Sequence, residues 1–177
     1  MMARRARSLD TLVAQCDSGW TDRSLASDGW VGDADHARTS SDHNPDPWGV
    51  VHAQDLTHDP SHAFDCRDVT AALVASRDPR ISYIIWNRKI VSSTTAPWTW
   101  RPYTGANPHS THMHLSVNAS NADDPSPWEI PMTPAQEARL IEVEKKADRI
   151  LWLLEAKRDN PNPLGPRIDA IYTNTKK

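Results

Sequence analysis

No apolar run in this 177-residue chain approaches the roughly 20 residues a membrane-spanning helix needs, which excludes a span. Its first residues, MMARRARSLDTLVAQC, are basic but have no apolar stretch behind them, so no secretory leader is expected. There is no positive excess: the net charge is -3 and the pI about 6.2. That argues against a general nucleic-acid binder, which carries a basic face. Only two cysteines are present, Cys16 and Cys66, without a CxxC, so neither a zinc knuckle nor a disulfide framework is expected. Two buried or half-buried free thiols are the expectation, with a single bridge as the alternative. The mean hydropathy of -0.66 indicates a soluble chain, and its length suits one domain with a core plus an appendage.

What the chain does have is histidine, unevenly placed. All eight (His36, His43, His52, His58, His62, His109, His112 and His114) lie between residues 36 and 114, and the last 63 residues contain none. Any chemistry therefore belongs to the first two thirds. Residues 121–134, NADDPSPWEIPMTP, hold four prolines and break regular structure. They separate a domain over residues 1–130 from a C-terminal segment, 131–177, made of a helix (about 134–158) and a polar tail. For that helix Thr133 is a good N-cap, Pro134 suits the first position and Gln136 completes a capping box. Leu140, Val143, Ala147, Ile150 and Leu154 follow a 3-4-3-4 spacing, a heptad stripe of about two and a half repeats. Two expectations remain open for the stripe: a coiled coil, or an amphipathic helix docked on its own domain.

Within the first 130 residues, short helices are expected over 8–16 and 65–77, the second capped by Asp65. Strands are expected over 49–57 and 112–117, with a hairpin over 80–93 turning at Asn87-Arg88. This mixture predicts a small α+β domain with an antiparallel sheet and flanking helices.

On a strand, residues i and i+2 share a face, so His112 and His114 of HMHLSV point one way and Met113 and Leu115 the other. Two histidines on a buried face cost free energy unless their nitrogens are satisfied, and metal ligation satisfies them. Upstream, SSDHNPDPWGVVHAQDLTHDP places His43 in a loop and Asp55 on an apolar strand, where a lone carboxylate is costly. Two imidazoles and a carboxylate form a common catalytic zinc shell with one position open for water. This points to His43, Asp55 and one member of the His112/His114 pair as ligands, the other serving as acid/base or transition-state group. His52 is a rival for His43, but it lies three residues from Asp55, so the two side chains take opposite faces.

SDHNPDPWGVVHAQDLTHDP together with NPHSTHMHLSV resembles the family of zinc D-Ala-D-Ala carboxypeptidases and L-alanyl-D-glutamate endopeptidases, closest to the branch in phage lysins of actinobacterial hosts. The resemblance covers roughly residues 28–117, about half the chain. It implies a zinc DD-peptidase-like fold, Zn2+ as cofactor and peptidoglycan stem peptides as substrate. It also implies His43, Asp55 and His114 as metal ligands, His112 as the catalytic group and His109 as its support in an H-x-x-H-x-H arrangement. Ser41, Gly49 and Ala53 fill further positions of the family pattern. Arg38 is a candidate to steady a substrate carboxylate or carbonyl, alongside Ser41. The twelve positions from His43 to Asp55 exceed the family's usual spacing, and NPDPW looks like a loop inserted before Gly49. Such an enzyme would be made in the host cytoplasm and act on the wall after lysis or from a virion. A tail component that keeps the fold and assembles through residues 134–158 is the rival reading. A metal-dependent nuclease is disfavoured by the absence of a basic run. Asp42 is expected either to accept the second ring N–H of a ligand or to form a turn. Trp48, Trp98, Trp100 and Tyr103 are expected as core and cleft wall.

Overall fold

The computed structural model describes residues 2–32 and 39–159. The chain divides into two units, Met1–Thr133 and Pro134–Lys177.

The first unit contains β1 (Arg4–Arg5), α1 (Arg7–Gly19), β2 (Val50–Val51), β3 (Ala53–Thr57) and a 3-10 turn at Pro60–His62. These are followed by α2 (Cys66–Ser76), β4 (Ile81–Trp86), β5 (Lys89–Ser92), β6 (Arg101–Pro102) and β7 (His112–Val117). Five strands form an antiparallel sheet in the order β3-β7-β4-β5-β6, while β1 and β2 pair in parallel apart from it. The α+β class and the antiparallel sheet match the sequence expectation. The strand expected over 49–57 is broken at His52, whose N–H donates to Asp42 O and whose carbonyl accepts from Val117 N. There the chain leaves β1 and joins β7.

Local chemistry accounts for the elements. The Asp65 side chain accepts the Arg67 N–H at 2.8 Å and starts α2, whose Cys66, Val69, Thr70 and Leu73 form a buried stripe. Leu9, Leu12 and Cys16 do the same for α1. The β4–β5 hairpin turns at Asn87 (φ 46°) and Arg88 (φ 63°), both left-handed as a type I′ turn requires. Arginine pays a steric cost there, offset by hydrogen bonds from Asn87 N to His109 O and from Arg88 N to Pro108 O.

Pairing places Asp55 opposite His114, Leu56 opposite Met113 and Ile84 opposite Leu115. Leu56, Met113, Leu115 and Ile84 therefore share one face and enter a core with Leu9, Leu12, Phe64, Val69 and Leu73. Burial of Met113 and Leu115 contributes about 1.5–3 kcal/mol each. Cys16 and Cys66 are free and buried in that core, and burial pushes both thiols up to about 12. Trp128 closes it: its Nε1 donates to Ser8 O at 2.7 Å and the Arg80 guanidinium lies 3.8 Å from its ring. The opposite sheet face carries the histidines.

The second unit holds α3, Pro134–Asp159. Leu140, Val143, Ile150 and Leu154 are all exposed along it. No described helix is long and apolar enough to cross a membrane.

Candidate metal centre

The face opposite the core presents Asp55 from β3, His112, His114 and Ser116 from β7, and Tyr83 from β4. His43 reaches the same spot from the loop before β2. That loop is shaped by Asp46, whose Oδ1 accepts the Trp48 and Val50 N–H groups at 2.8 Å each. Gly49 takes φ 80° at the turn, a conformation that favours glycine. The inserted NPDPW stretch is thus an Asp46-centred turn.

His43 Nε2 lies 3.1 Å from His114 Nδ1 and 3.3 Å from Asp55 Oδ2, and His114 Nδ1 lies 2.9 Å from Asp55 Oδ1. A tetrahedral ion bound at about 2.0–2.1 Å separates adjacent ligand atoms by about 3.3 Å. The three groups thus have the spacing of one coordination shell. Tautomers agree. His43 Nδ1 faces the Trp30 carbonyl at 3.0 Å, and a carbonyl only accepts, so Nδ1 carries the hydrogen and a neutral Nε2 offers its lone pair. His114 Nε2 meets the Ser116 hydroxyl at 3.0 Å, which lets Nδ1 point its lone pair the same way. Each ring is held through the nitrogen that does not converge, the arrangement that orients metal-binding histidines. Tyr83 stacks on His114 at 5.3 Å.

The Trp30 carbonyl is delivered by backbone pairing of Gly29 with Asp55: Asp55 N donates to Gly29 O at 2.7 Å. Arg23 braces that segment between Asp17 and Asp28. Of the two expectations for Asp42 the turn holds: Trp30 O takes the second N–H of His43. Asp42 lies in the turn closed by Asn44 N donating to Ser41 O, and its carbonyl accepts the His52 N–H.

Burial works against ionisation of Asp55, but hydrogen bonds with His114 and His43 overcome it and hold the carboxyl well below its usual range. Burial likewise works against a charged His43, and Asp55 more than offsets it, raising the imidazole above its ordinary value. The carboxylate is thus ionised and calls for a cation, a role that a proton on the rings or a metal ion fills.

His112 and His109 complete the cluster. Asp55, His109 and His112 also bring one ligand atom each within 4.8 Å of one another. His112 Nε2 is buried without a hydrogen-bond partner, 3.8 Å from Asp55 Oδ2. Burial, together with His114 and His43, lowers the pKa of His112. Burial also pushes His109 down to about 4, helped by His114 and His112. The His109 and His112 rings meet edge-on at 4.9 Å. His109 Nδ1 donates to the Asn107 carbonyl at 2.8 Å, and its backbone sits at φ 50°, a costly conformation for a non-glycine residue.

Ser41 Oγ accepts the His43 N–H at 3.3 Å, so it steadies the ligand loop. Arg38 and His36 lie outside the described residues. His52 is half-buried and engaged with Asp46 at 3.0 Å, away from the cluster. His58 accepts from Cys66 N, and His62 pairs with Asp59 at 2.7 Å. Trp98 and Trp100 pack against the core and Tyr103 against His109, as expected. Trp48 is corrected: it is 74% exposed at the tip of the Asp46 turn, where its backbone rather than its ring is used. Ser116 and Tyr83 were not anticipated. Ser116 carried a signal, since it continues the alternation His112, His114.

No protein-family model, curated protein or solved structure matches the chain.

Proposed function

We propose that the chain is a zinc-dependent peptidase that hydrolyses amide bonds in peptidoglycan stem peptides. The observation that carries the metal is the convergence of His43, Asp55 and His114 from three distant stretches, with donor atoms 2.9 to 3.3 Å apart. Two imidazoles and one carboxylate leave a fourth position open, the pattern of catalytic rather than structural zinc. The substrate class, and a zinc DD-peptidase-like fold, rest on the resemblance of SDHNPDPWGVVHAQD and HSTHMH to wall-peptide hydrolases.

Zinc held there by His43, Asp55 and His114 would supply a Lewis acid for the scissile carbonyl and would lower the pKa of a water toward about 7. The chain's own groups do the rest. The Trp30 carbonyl and the Ser116 hydroxyl fix the planes of His43 and His114. His112 Nε2, neutral and unpartnered, accepts the proton of the attacking water and passes it to the leaving amine nitrogen. His109 packs edge-on against His112 and holds its ring in place. Ser41, and Arg38 outside the described residues, are the proposed substrate contacts.

Digestion of purified actinobacterial peptidoglycan, with mass spectrometry of the fragments and elemental analysis of the protein, tests this. Cleaved stem peptides and about one zinc per chain are expected, with both lost in His114→Ala. Wild-type protein that leaves every stem peptide intact refutes it; the fragments themselves separate a carboxypeptidase from an endopeptidase. The second reading, a virion or tail component that keeps the fold, is favoured by the exposed apolar stripe of α3. Mass spectrometry of purified particles decides between a virion-borne protein and one freed at lysis.

A further inference from the structure

We infer that α3 pairs with the same helix of other copies of this chain, parallel and in register. The inference is independent of the metal centre. Leu140, Val143, Ala147, Ile150 and Leu154 occupy successive a and d positions of a heptad. The four large ones are 42% to 60% exposed and form an apolar seam along the helix.

The charges beside the seam identify the occupant. With Leu140 at a, the e positions are Glu137 and Glu144 and the g positions are Arg139 and Lys146. One flank is acidic and the other basic over these two heptads. In a parallel pair, a g residue faces the e residue five positions on in its neighbour, so Arg139 meets the partner's Glu144. An antiparallel pair instead brings g against g and e against e, cation on cation and carboxylate on carboxylate. Neither Arg139 nor Glu144 is engaged in an ion pair with any described residue, whereas Lys145 and Glu142, on the outer face, pair with each other at 3.3 Å. The side chains needed across the seam are unspent. A second copy of this helix supplies both the matching apolar stripe and the complementary flank.

Leucine at a, with Val143 and Ile150 at d, favours bundles of more than two helices. Leu151 at e and Leu153 at g widen the apolar surface in the same direction. Parallel pairing gathers every Pro134 end at one end of the bundle. Each copy of the preceding unit is joined there, so a polymer with repeated binding sites is engaged by several copies at once.

Light scattering and sedimentation equilibrium on the full chain test this. Wild-type protein at micromolar concentration is expected at a multiple of 19.8 kDa. Arg139→Glu and Glu144→Arg each set like charges across the seam and weaken association about tenfold, an effect that shrinks in high salt. Mixing the two variants raises the mass above that of either alone, because at each seam between unlike copies every reversed charge meets its opposite. Val143→Asp with Ile150→Asp gives a monomer whose first unit keeps its circular dichroism and thermal transition. A monomeric wild-type chain overturns the inference, as does association indifferent to both charge reversals and to mixing.

Discussion

Loading the first unit with zinc is expected to raise its melting temperature by about 10 °C. An ion that binds only the folded state at a hundred times its dissociation constant stabilises it by about 2.7 kcal/mol. The unit spans Met1–Thr133, and for a domain of that size each kcal/mol moves the midpoint by about 3–5 °C. The unfolded chain scatters the ligands over distances set by their separation in sequence, from His43 to His114, so it retains little affinity. The measurement is a thermal scan of protein stripped with a chelator, dialysed and titrated with zinc. Magnesium serves as a control, because it prefers oxygen donors in octahedral geometry and is expected to produce no shift. The double variant His43→Ala, His114→Ala removes both nitrogen donors and should abolish the shift. His62→Ala should keep it, since His62 pairs with Asp59 away from the centre. A wild-type midpoint unmoved by saturating zinc, or a shift that survives in the double variant, refutes the reasoning.

Ser116→Ala removes the acceptor that meets His114 Nε2 at 3.0 Å and should weaken zinc about 10- to 100-fold in a chelator competition; unchanged affinity would deny it an orienting role. His112→Gln should keep the zinc content and the thermal shift while lowering turnover about 10²- to 10⁴-fold, and an active variant would remove His112 from the proton path. Trp128→Ala empties a site that is 3% exposed and should cost about 3–5 kcal/mol in urea denaturation, with zinc affinity unchanged. Acid should destabilise the first unit below pH 4, the ordinary aspartate range being about 3.9. Hydrogen bonds from Arg4 hold Asp123 at about 2; burial opposes ionisation of Asp78, but Arg80 lowers it. Both pKa values are depressed by folding, so their stabilisation is complete above the ordinary range and is lost as pH falls through the folded values. Asp123→Asn should flatten the melting temperature between pH 4 and 2, and an unchanged slope counts against that pair.

How much of the centre was legible depended on which physical rule placed each group. His112 and His114 sit on one face because strand side chains alternate, and that rule needs only local sequence. Ser116 follows from the same alternation and was readable. Asp55 announced itself as a carboxylate on an apolar strand. Tyr83 could not be read: it reaches the centre because β4 pairs with β7 through an irregular register between Ile81 and Tyr83. The Trp30 carbonyl has no side-chain signature, and the break at His52 depends on a backbone bond to Asp42. The C-terminal helix was legible almost to its bounds, Pro134–Asp159 against about 134–158, because caps and heptads are local.

What alternation leaves open is whom a residue meets, and here the core decides for the site. Asp55 stands opposite His114 because Leu56 stands opposite Met113 and Ile84 opposite Leu115. A one-residue slip of β3 against β7 would force a choice: bury Asp55 and Thr57 among leucines, or turn Leu56 out to the histidines. Either costs more than a pair of backbone bonds returns, since a buried unpaired carboxylate alone costs several kcal/mol. The apolar pattern that folds the sheet therefore also sets the donor spacing on its other face. Leu56→Asp puts a carboxylate on the fully buried core face in the native register, and the slipped register buries Asp55 instead. It should therefore unfold the first unit, read as a lost thermal transition, rather than reset the donor spacing.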